Sequence, residues 1–261
     1  FFFEAKMDSV GSELASSASE MADTAVASTG VAQKGQAARR SSRRKRSQDR
    51  RAKENGVTMP SEITLDLIVN RSENLSLSQL NMLISQLGYV PYNLVEIGAS
   101  SDGPEPVTQV AKLYPMNKSD SSGRYMERHL PFPTMFWLCC PDIHTKICEL
   151  EVDGWVIKLQ KRLTGSDESA AYLAAMEQAH KQYAAERWAL LSEADKSLIE
   201  ENGWLDSLKH SGVAGMKEFT GVKCLHTHYA HHLARPEHGN IIGVWVHELL
   251  LLKEQEIANS V

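Results

Sequence analysis

The sequence divides at about residue 60 into two parts of different composition. All five Trp, all ten His and all four Cys residues lie after residue 60. Residues 1–60 contain 11 Lys and Arg against 7 Asp and Glu, whereas residues 61–261 contain 17 against 26, so the parts carry +4 and −9. The first 38 residues are mostly Ala, Ser, Gly and Thr without apolar periodicity, and such a segment cannot bury enough surface to offset its ordering entropy. We therefore expect a disordered tail over 1–60 and a folded domain over 61–261.

The tail contains a dense basic run at residues 39–53, where nine of 15 residues are Arg or Lys. Like charges at this density repel one another and stay solvated, and such segments usually serve as address or interaction segments. The run therefore predicts either a nuclear localisation signal, bound by an import receptor, or an arm that binds nucleic acid. A basic linker with no specific partner is the alternative interpretation.

Hydropathy and cysteine content suggest where the chain works. The longest continuously apolar run is the heptamer at 170–176, whereas a membrane span needs about 20 apolar residues, so we expect no membrane partner. The four cysteines are too sparse for a disulfide scaffold and include the adjacent pair Cys139 and Cys140. We therefore expect an intracellular protein, either cytoplasmic or nuclear.

Residue periodicity after position 61 predicts an α+β domain that is mostly helical. A helical stripe over 76–87 ends at Gly88, a typical C-cap. Short apolar stretches between Gly-, Pro- and Ser-rich turns predict three strands, at 93–99, 107–113 and 134–139. The polar segment 117–129 predicts a loop that could carry ligand contacts. Six further helices are predicted, at 141–152, 155–163, 167–191, 193–201, 222–234 and 241–257. The expected fold is a single domain with a small antiparallel sheet.

The histidines are concentrated near the C-terminus. Six of ten lie within 226–247, and Cys224 directly precedes them in the segment VKCLHTHYAHHLA. Imidazole nitrogen and thiolate sulfur both bind zinc, and the 100° helical step brings Cys224, His228 and His231 to nearly one face. The alternative is a helix with one hydrogen-bonded core histidine and the others exposed. This segment predicts a Cys/His site, with zinc as the expected ion if a metal binds.

A second candidate is the segment PFPTMFWLCCPDIHTKICE. Its apolar centre at 135–138 is typical of a buried strand. Cys140 precedes Pro141 and so stands at the N-terminus of a predicted helix, where the macrodipole favours thiolate and hence metal binding or nucleophilic attack. Thr134, which follows Pro133, and Trp137 are candidate ligand-binding residues.

Several common catalytic motifs are missing from the sequence. His247 and Glu248 begin like the HExxH zinc motif, but Leu251 stands where the second histidine would be. The sequence contains no GxxxxGK[ST] loop, no GxGxxG after a strand and no GxSxG elbow. No CxxC pair is present either, which argues against thioredoxin-like chemistry and a four-cysteine zinc ribbon.

Four blocks of this sequence resemble the family called domain of unknown function 501. They are QLGYVPYNLVEIG, PFPTMFWLCCP, AAYLAAMEQAHKQYAAER, and VKCLHTHYAHHLA followed by Asn-Ile-Ile-Gly. The resemblance runs over about 75–250, and its most specific pieces are PFPTMFWL and KCLH. It implies a Cys or His at the position of Cys140, and a Lys-Cys-x-His element with a second histidine five residues on. The ligand set that the resemblance implies is Cys140, Cys224, His226 and His231.

On a helix, His226 would point about 200° away from Cys224. These two residues can therefore share a site only if the helix begins near His226, with Cys224 on the preceding turn.

These observations lead to two functional hypotheses. The first is an enzyme or metal-dependent domain with a Cys/His site that acts on an anionic or phosphate-bearing small molecule. In it, Cys224, His226 and Lys223 are the catalytic candidates, and the cation Lys223 also serves as an anion ligand. The second is a non-catalytic interaction module in which the Cys/His cluster is structural and the basic tail binds nucleic acid or an import receptor.

Overall fold

The structure is a computed structural model, and it describes residues 75–101, 107–119 and 125–259. The predicted tail over 1–60, its basic run and residues 61–74 lie outside the described residues. Within the described ranges the protein is mostly helical, with two small antiparallel sheets, as the α+β prediction requires.

The described part of the chain contains eight α-helices and five strands. The helices are α1 (Leu77–Leu87), α2 (Pro141–Val152), α3 (Trp155–Gly165), α4 (Ser169–Leu190), α5 (Glu193–Glu201), α6 (Leu205–Leu208), α7 (Leu225–Ala234) and α8 (Ile241–Asn259). The strands are β1 (Leu94–Ser100), β2 (Thr108–Leu113), β3 (Met116–Ser119), β4 (Tyr125–Pro131) and β5 (Phe136–Leu138). Among the described helices, none is both long enough and apolar enough to cross a membrane.

Helix α1 begins and ends where its capping residues predict. Ser76 and Gln79 form a reciprocal capping box, because the Gln79 N–H donates to Ser76 Oγ and the Ser76 N–H donates to Gln79 Oε1. Gly88 ends the helix with φ of 80°, a conformation that disfavours any residue with a Cβ. The predicted helix over 76–87 and its C-cap are confirmed.

The main sheet has the order β1-β2-β5, with both pairs antiparallel. Successive residues of β2 point to opposite faces. Ala111 and Leu113 pack with α1, whereas Val110 packs with Phe136 of β5 in the larger core formed with the C-terminal helices. The sheet is therefore covered on both faces, and the three strands predicted at 93–99, 107–113 and 134–139 are confirmed.

The segment 117–129 is not simply a loop, and that prediction was wrong. Strands β3 and β4 pair antiparallel there, with Met116 opposite Pro131 and Asn117 opposite Leu130. The connection at 120–124 lies outside the described residues. A hairpin is stabilised by backbone hydrogen bonds between its two strands, and these do not depend on residue type. The polar residues of this segment therefore indicated a loop although the backbone forms strands.

The C-terminal helices match their predictions closely except at the start of α7. Helix α2 spans 141–152 as expected, with Pro141 in its first turn. Asn240 caps α8, because its Oδ1 accepts the Gly243 N–H at 3.2 Å. Helix α7 begins at Leu225 rather than at 222, which leaves Cys224 in an extended conformation just outside the helix. Phe136 of β5 stacks on His231 of α7 at 5.8 Å, so the two sequence segments singled out above do pack together.

Candidate metal centre

One face of helix α2 carries three side chains with donor atoms. His144, Cys148 and Glu151 are spaced four and then three residues apart, and such positions lie above one another on a helix. His144 is exposed, whereas Cys148 and Glu151 are half-buried. This face of α2 is directed towards the N-terminus of α7.

The N-terminus of α7 supplies two further donors. Cys224 has extended backbone angles (φ −138°, ψ 117°), and its Sγ lies 3.9 Å from His226 Nδ1. The helix thus begins near His226 with Cys224 before it, which was the stated condition for the two residues to meet. The Leu225 N–H, the first of the helix, donates to Glu151 Oε1 at 2.9 Å. Glu151 of α2 therefore caps α7 from outside.

His226 stands between two groups of donor atoms. On one side, its Nε2 lies 3.5 Å from Cys148 Sγ, which in turn lies 3.6 Å from His144 Nδ1. On the other side, its Nδ1 lies 3.2 Å from Glu151 Oε1 and 3.9 Å from Cys224 Sγ. Within each group, all donor atoms lie within 4.8 Å of one another. Each group has the composition and spacing to hold a metal ion. His226 belongs to both groups, with Nε2 in the first and Nδ1 in the second.

The first group fits tetrahedral zinc closely. With Zn–S of about 2.3 Å and Zn–N of about 2.1 Å, a tetrahedral angle separates sulfur from nitrogen by about 3.6 Å. The two Sγ to nitrogen distances in this group are 3.5 and 3.6 Å. The rings of His144 and His226 lie with centroids 4.5 Å apart, so both nitrogens face the same thiol. Cys148, His144 and His226 thus form a group that could hold one ion.

Hydrogen bonds set the charges around His226. Burial alone would lower the pKa of His226, but hydrogen bonds to Cys224 and Glu151 outweigh it and raise that pKa to about 10. The bond from His226, followed by that from the Leu225 backbone, lowers the pKa of Glu151 despite burial. For Cys224, burial acts to raise the pKa, yet hydrogen bonds from His226 and Thr227 bring the net shift downwards. Burial and then the charge of His226 lower the pKa of His144, which leaves a neutral imidazole able to coordinate.

The family model described as "Protein of unknown function (DUF501)" matches residues 103–248, more than half of the chain. The chain belongs to the DUF501 family. This confirms the family resemblance that was drawn from the sequence over about 75–250, although the matched region begins at residue 103, after the first of the four blocks. No curated protein and no solved structure matches the chain. All five donor residues on α2 and α7 lie within the matched DUF501 region.

Of the ligand set that the resemblance implied, the structure brings together only Cys224 and His226. Cys140 is the N-cap of α2, one turn before His144, and belongs to neither donor group of the described residues. His231 lies five residues after His226 on α7, which places it about 140° around the helix and about 7.5 Å further along the axis. Its side chain is completely buried, with Nε2 3.1 Å from His238 Nδ1.

The predicted ligand-binding residues of this DUF501 chain lie on different elements. Lys223 is exposed and directly precedes Cys224. Thr134 is half-buried in the segment between β4 and β5. Trp137 lies on β5, where it is 37% exposed and its ring is 6.0 Å from that of Phe132. A ligand role for Thr134 and Trp137 stays a prediction.

Sequence reasoning missed His144, Cys148 and Glu151. His144 and Cys148 lie in the segment PFPTMFWLCCPDIHTKICE, and Glu151 follows two residues after it. The three occupy the i, i+4 and i+7 positions of a correctly predicted helix. That spacing was the signal, because it places three metal-binding residue types on one face. The adjacent pair Cys139 and Cys140 drew the interpretation towards the start of the helix instead.

Proposed function

We propose that this DUF501 protein is a metal-dependent domain that binds one zinc ion through His144 Nδ1, Cys148 Sγ and His226 Nε2. The observation that carries the proposal is the pair of sulfur to nitrogen separations, 3.5 and 3.6 Å, which match a tetrahedral zinc site. The choice of this group over the second one rests on Glu151, whose Oε1 already accepts the Leu225 N–H.

Three protein ligands leave one coordination position for water or substrate, as in catalytic zinc sites. The exposure of His144 supports access from solvent to that position. Zinc lowers the pKa of a bound water to about 7 and polarises the oxygen it binds, so metal-assisted hydrolysis is the chemistry that such a site performs.

For the substrate, we propose an anionic or phosphate-bearing small molecule. The zinc ion would contact a phosphoryl oxygen as a Lewis acid. The exposed Lys223, next to Cys224 in the chain, would supply a second cation. The proposed contact of the basic run 39–53 with nucleic acid or an import receptor is independent of this site.

A structural role for the metal is the second candidate function. It is favoured by the origin of the ligands, since two come from α2 and one from α7. An ion bound there would join the two helices whether or not it reacts with a substrate. Activity measurements separate this candidate from the first.

Elemental mass spectrometry on the purified full chain tests the site. We expect about one zinc per chain in the wild type, and its loss in Cys148→Ser. Cys140→Ser, on the same helix but outside both donor groups, is the matched control and should keep the metal. Loss in Cys224→Ser with retention in Cys148→Ser would assign the ion to the second group instead. A wild type without metal would refute the proposal.

Hydrolysis of p-nitrophenyl phosphate by the same set of proteins tests the chemistry. A metal-dependent rate that is abolished in Cys148→Ser and reduced in Lys223→Ala supports the enzyme. Zinc binding that stabilises the fold without any hydrolysis of phosphate esters favours the structural role.

A further inference from the structure

Glu151 makes two hydrogen bonds through a single carboxylate oxygen. Its Oε1 accepts the Leu225 N–H at 2.9 Å and lies 3.2 Å from His226 Nδ1. A carboxylate only accepts hydrogen bonds, so His226 Nδ1 must carry the proton in the second contact. The Glu151 side chain is 30% exposed and that of His226 only 16%, so this contact is largely shielded from water.

We propose that Glu151 is a positioning residue that holds His226 in the tautomer required for metal binding at Nε2. This inference rests on the proposed zinc site. A neutral imidazole has one N–H and one lone pair, and an ion bound by Nε2 needs the proton on Nδ1. Glu151 is the acceptor placed at that proton. A carboxylate behind a ligating histidine fixes the ring orientation and increases its basicity.

The position of Glu151 is itself fixed by the helix that it caps. The Leu225 N–H is the first donor of α7, and it precedes His226 by one residue. The bond to Leu225 therefore holds the carboxylate oxygen in place beside the imidazole. A change in the order of the first turn of α7 would move both the cap and the ligand, so the metal site and this helix end depend on the same carboxylate.

Cys224 is the competing partner for the same nitrogen. Its Sγ lies 3.9 Å from His226 Nδ1, compared with 3.2 Å for Glu151 Oε1. A sulfur at that distance is a weak partner, and a carboxylate forms the stronger, charge-assisted bond. Glu151 rather than Cys224 therefore holds the Nδ1 proton. The other nitrogen, Nε2, lies 3.3 Å from the His144 carbonyl oxygen, so an ion bound at Nε2 takes the place of a proton there.

Titration of the full chain with Co²⁺ is the experiment, because cobalt occupies zinc sites and its thiolate charge-transfer band reports Cys148 as a ligand. The variants are Glu151→Ala, which removes both bonds, and Glu151→Gln, which keeps an oxygen for the Leu225 N–H but loses the charge. Glu149→Gln is the matched control, since Glu149 lies on the same helix and faces Lys253 at 3.6 Å. The unfolding free energy of each metal-free protein is measured alongside.

We expect Glu151→Ala to bind Co²⁺ about 10- to 100-fold more weakly, with an intermediate loss for Glu151→Gln and none for Glu149→Gln. The thiolate band should persist in every variant, and Glu151→Gln should lose affinity in addition to the metal-free stability that it loses with the charged contact to His226. A purely structural role would lower stability without changing affinity, and would overturn the inference. Loss of the ion in both Glu151→Ala and Cys224→Ser, but not in Cys148→Ser, would make Glu151 a ligand and also overturn it. If the wild type shows no band, the zinc site itself fails.

Discussion

Helix α7 carries histidines in two opposite environments, only a few residues apart. At its N-terminus, His226 contacts a carboxylate and a thiol, and its pKa is raised to about 10. Two residues on, burial lowers the pKa of His228 to about 4, although its bond to Asn240 acts the other way. Burial also lowers the pKa of His231 well below its ordinary value, and the charges of neighbouring histidines add to that shift. The junction between α2 and α7 thus favours a charged histidine, and the core requires neutral ones.

Burial keeps the core histidines neutral, and two of them contact the same amide, that of Asn240. Asn240 Oδ1 accepts the Gly243 N–H, which fixes the orientation of the side chain. Its Nδ2 then lies 3.1 Å from His231 Nδ1 and 3.2 Å from His228 Nδ1. The NH₂ group can donate to His231 Nδ1, whereas His228 Nδ1 lies 3.2 Å from Asn240 Oδ1 as well and can either accept from the NH₂ group or donate to that oxygen. Histidines on one helix thus divide into a charged one at the junction and neutral ones in the core, because a carboxylate contacts the first and burial among neutral groups surrounds the others.

The largest expected effect is a difference in the free energy of unfolding between a substitution in the core and one at the α2–α7 junction. His231→Ala leaves a cavity between Phe136 and Tyr183 and removes the partner of Asn240 Nδ2, so we expect a loss of about 3 kcal/mol. His226→Ala in metal-free protein should cost about 1 kcal/mol, because Glu151 keeps its bond to Leu225. Urea unfolding of both variants in the presence of a chelator is the measurement. Equal losses would remove the distinction between core and junction.

The next effect concerns how closely α7 and α8 approach. A Cβ at Gly243 would lie 2.4 Å from His232 Cβ and 2.7 Å from the His228 backbone oxygen. Because the backbone cannot yield easily, Gly243→Ala should destabilise the protein by about 2 kcal/mol. Gly165→Ala is the control, since a Cβ there meets nothing within 4 Å. Thermal unfolding is the measurement. Equal melting temperatures for the two variants would show that α7 and α8 pack less closely than these distances imply.

A change of pH should affect the free energy of unfolding in opposite directions through the core histidines and through His226 at the junction. Burial, aided by His228, lowers the pKa of His180 to about 3. The unfolded chain therefore binds a proton that the folded chain resists, and this stability, complete above pH 6.5, is lost as pH falls towards 3. Removing one such group in His180→Asn should reduce the acid slope of unfolding free energy by up to about 1.4 kcal/mol per pH unit.

The raised pKa of His226 has the reverse consequence in metal-free protein. Its contribution is complete below pH 6.5 and is lost as pH rises through about 10. His226→Gln should flatten the alkaline side of the stability profile and leave the acid side as in the wild type. An unchanged alkaline profile would show that the bond to Glu151 does not stabilise the fold.

How much of this could be predicted from the sequence depended on the range of the interaction. The helix at 76–87, its end at Gly88 and the helix at 141–152 were predicted correctly because each depends on neighbouring residues. The β3–β4 hairpin was missed, since its strands are defined by pairing with each other. The approach of Cys224 to His226 required the start of α7, which periodicity placed three residues too early.

The candidate donor groups were predicted only in part for a similar reason. Cys224 and His226 belong to one segment, so their contact follows from local conformation. Their meeting with Cys148 and Glu151 depends on how α2 packs against α7, and no spacing within either segment encodes that. His231 was assigned to the site by the family resemblance, but the helical step directs its side chain into the core.

The smallest expected effect tests whether the two sides of α2 are independent. Lys146 lies between the ligand positions His144 and Cys148, but its Nζ contacts Glu254 of α8 at 2.8 Å and Asp142 at 2.9 Å. Lys146→Ala should cost less than about 1 kcal/mol in unfolding free energy, because partly exposed ion pairs contribute little. Its zinc content should equal that of the wild type. If the metal is lost from this variant, the ligands depend on how α8 holds α2, and the site would extend beyond the α2–α7 junction.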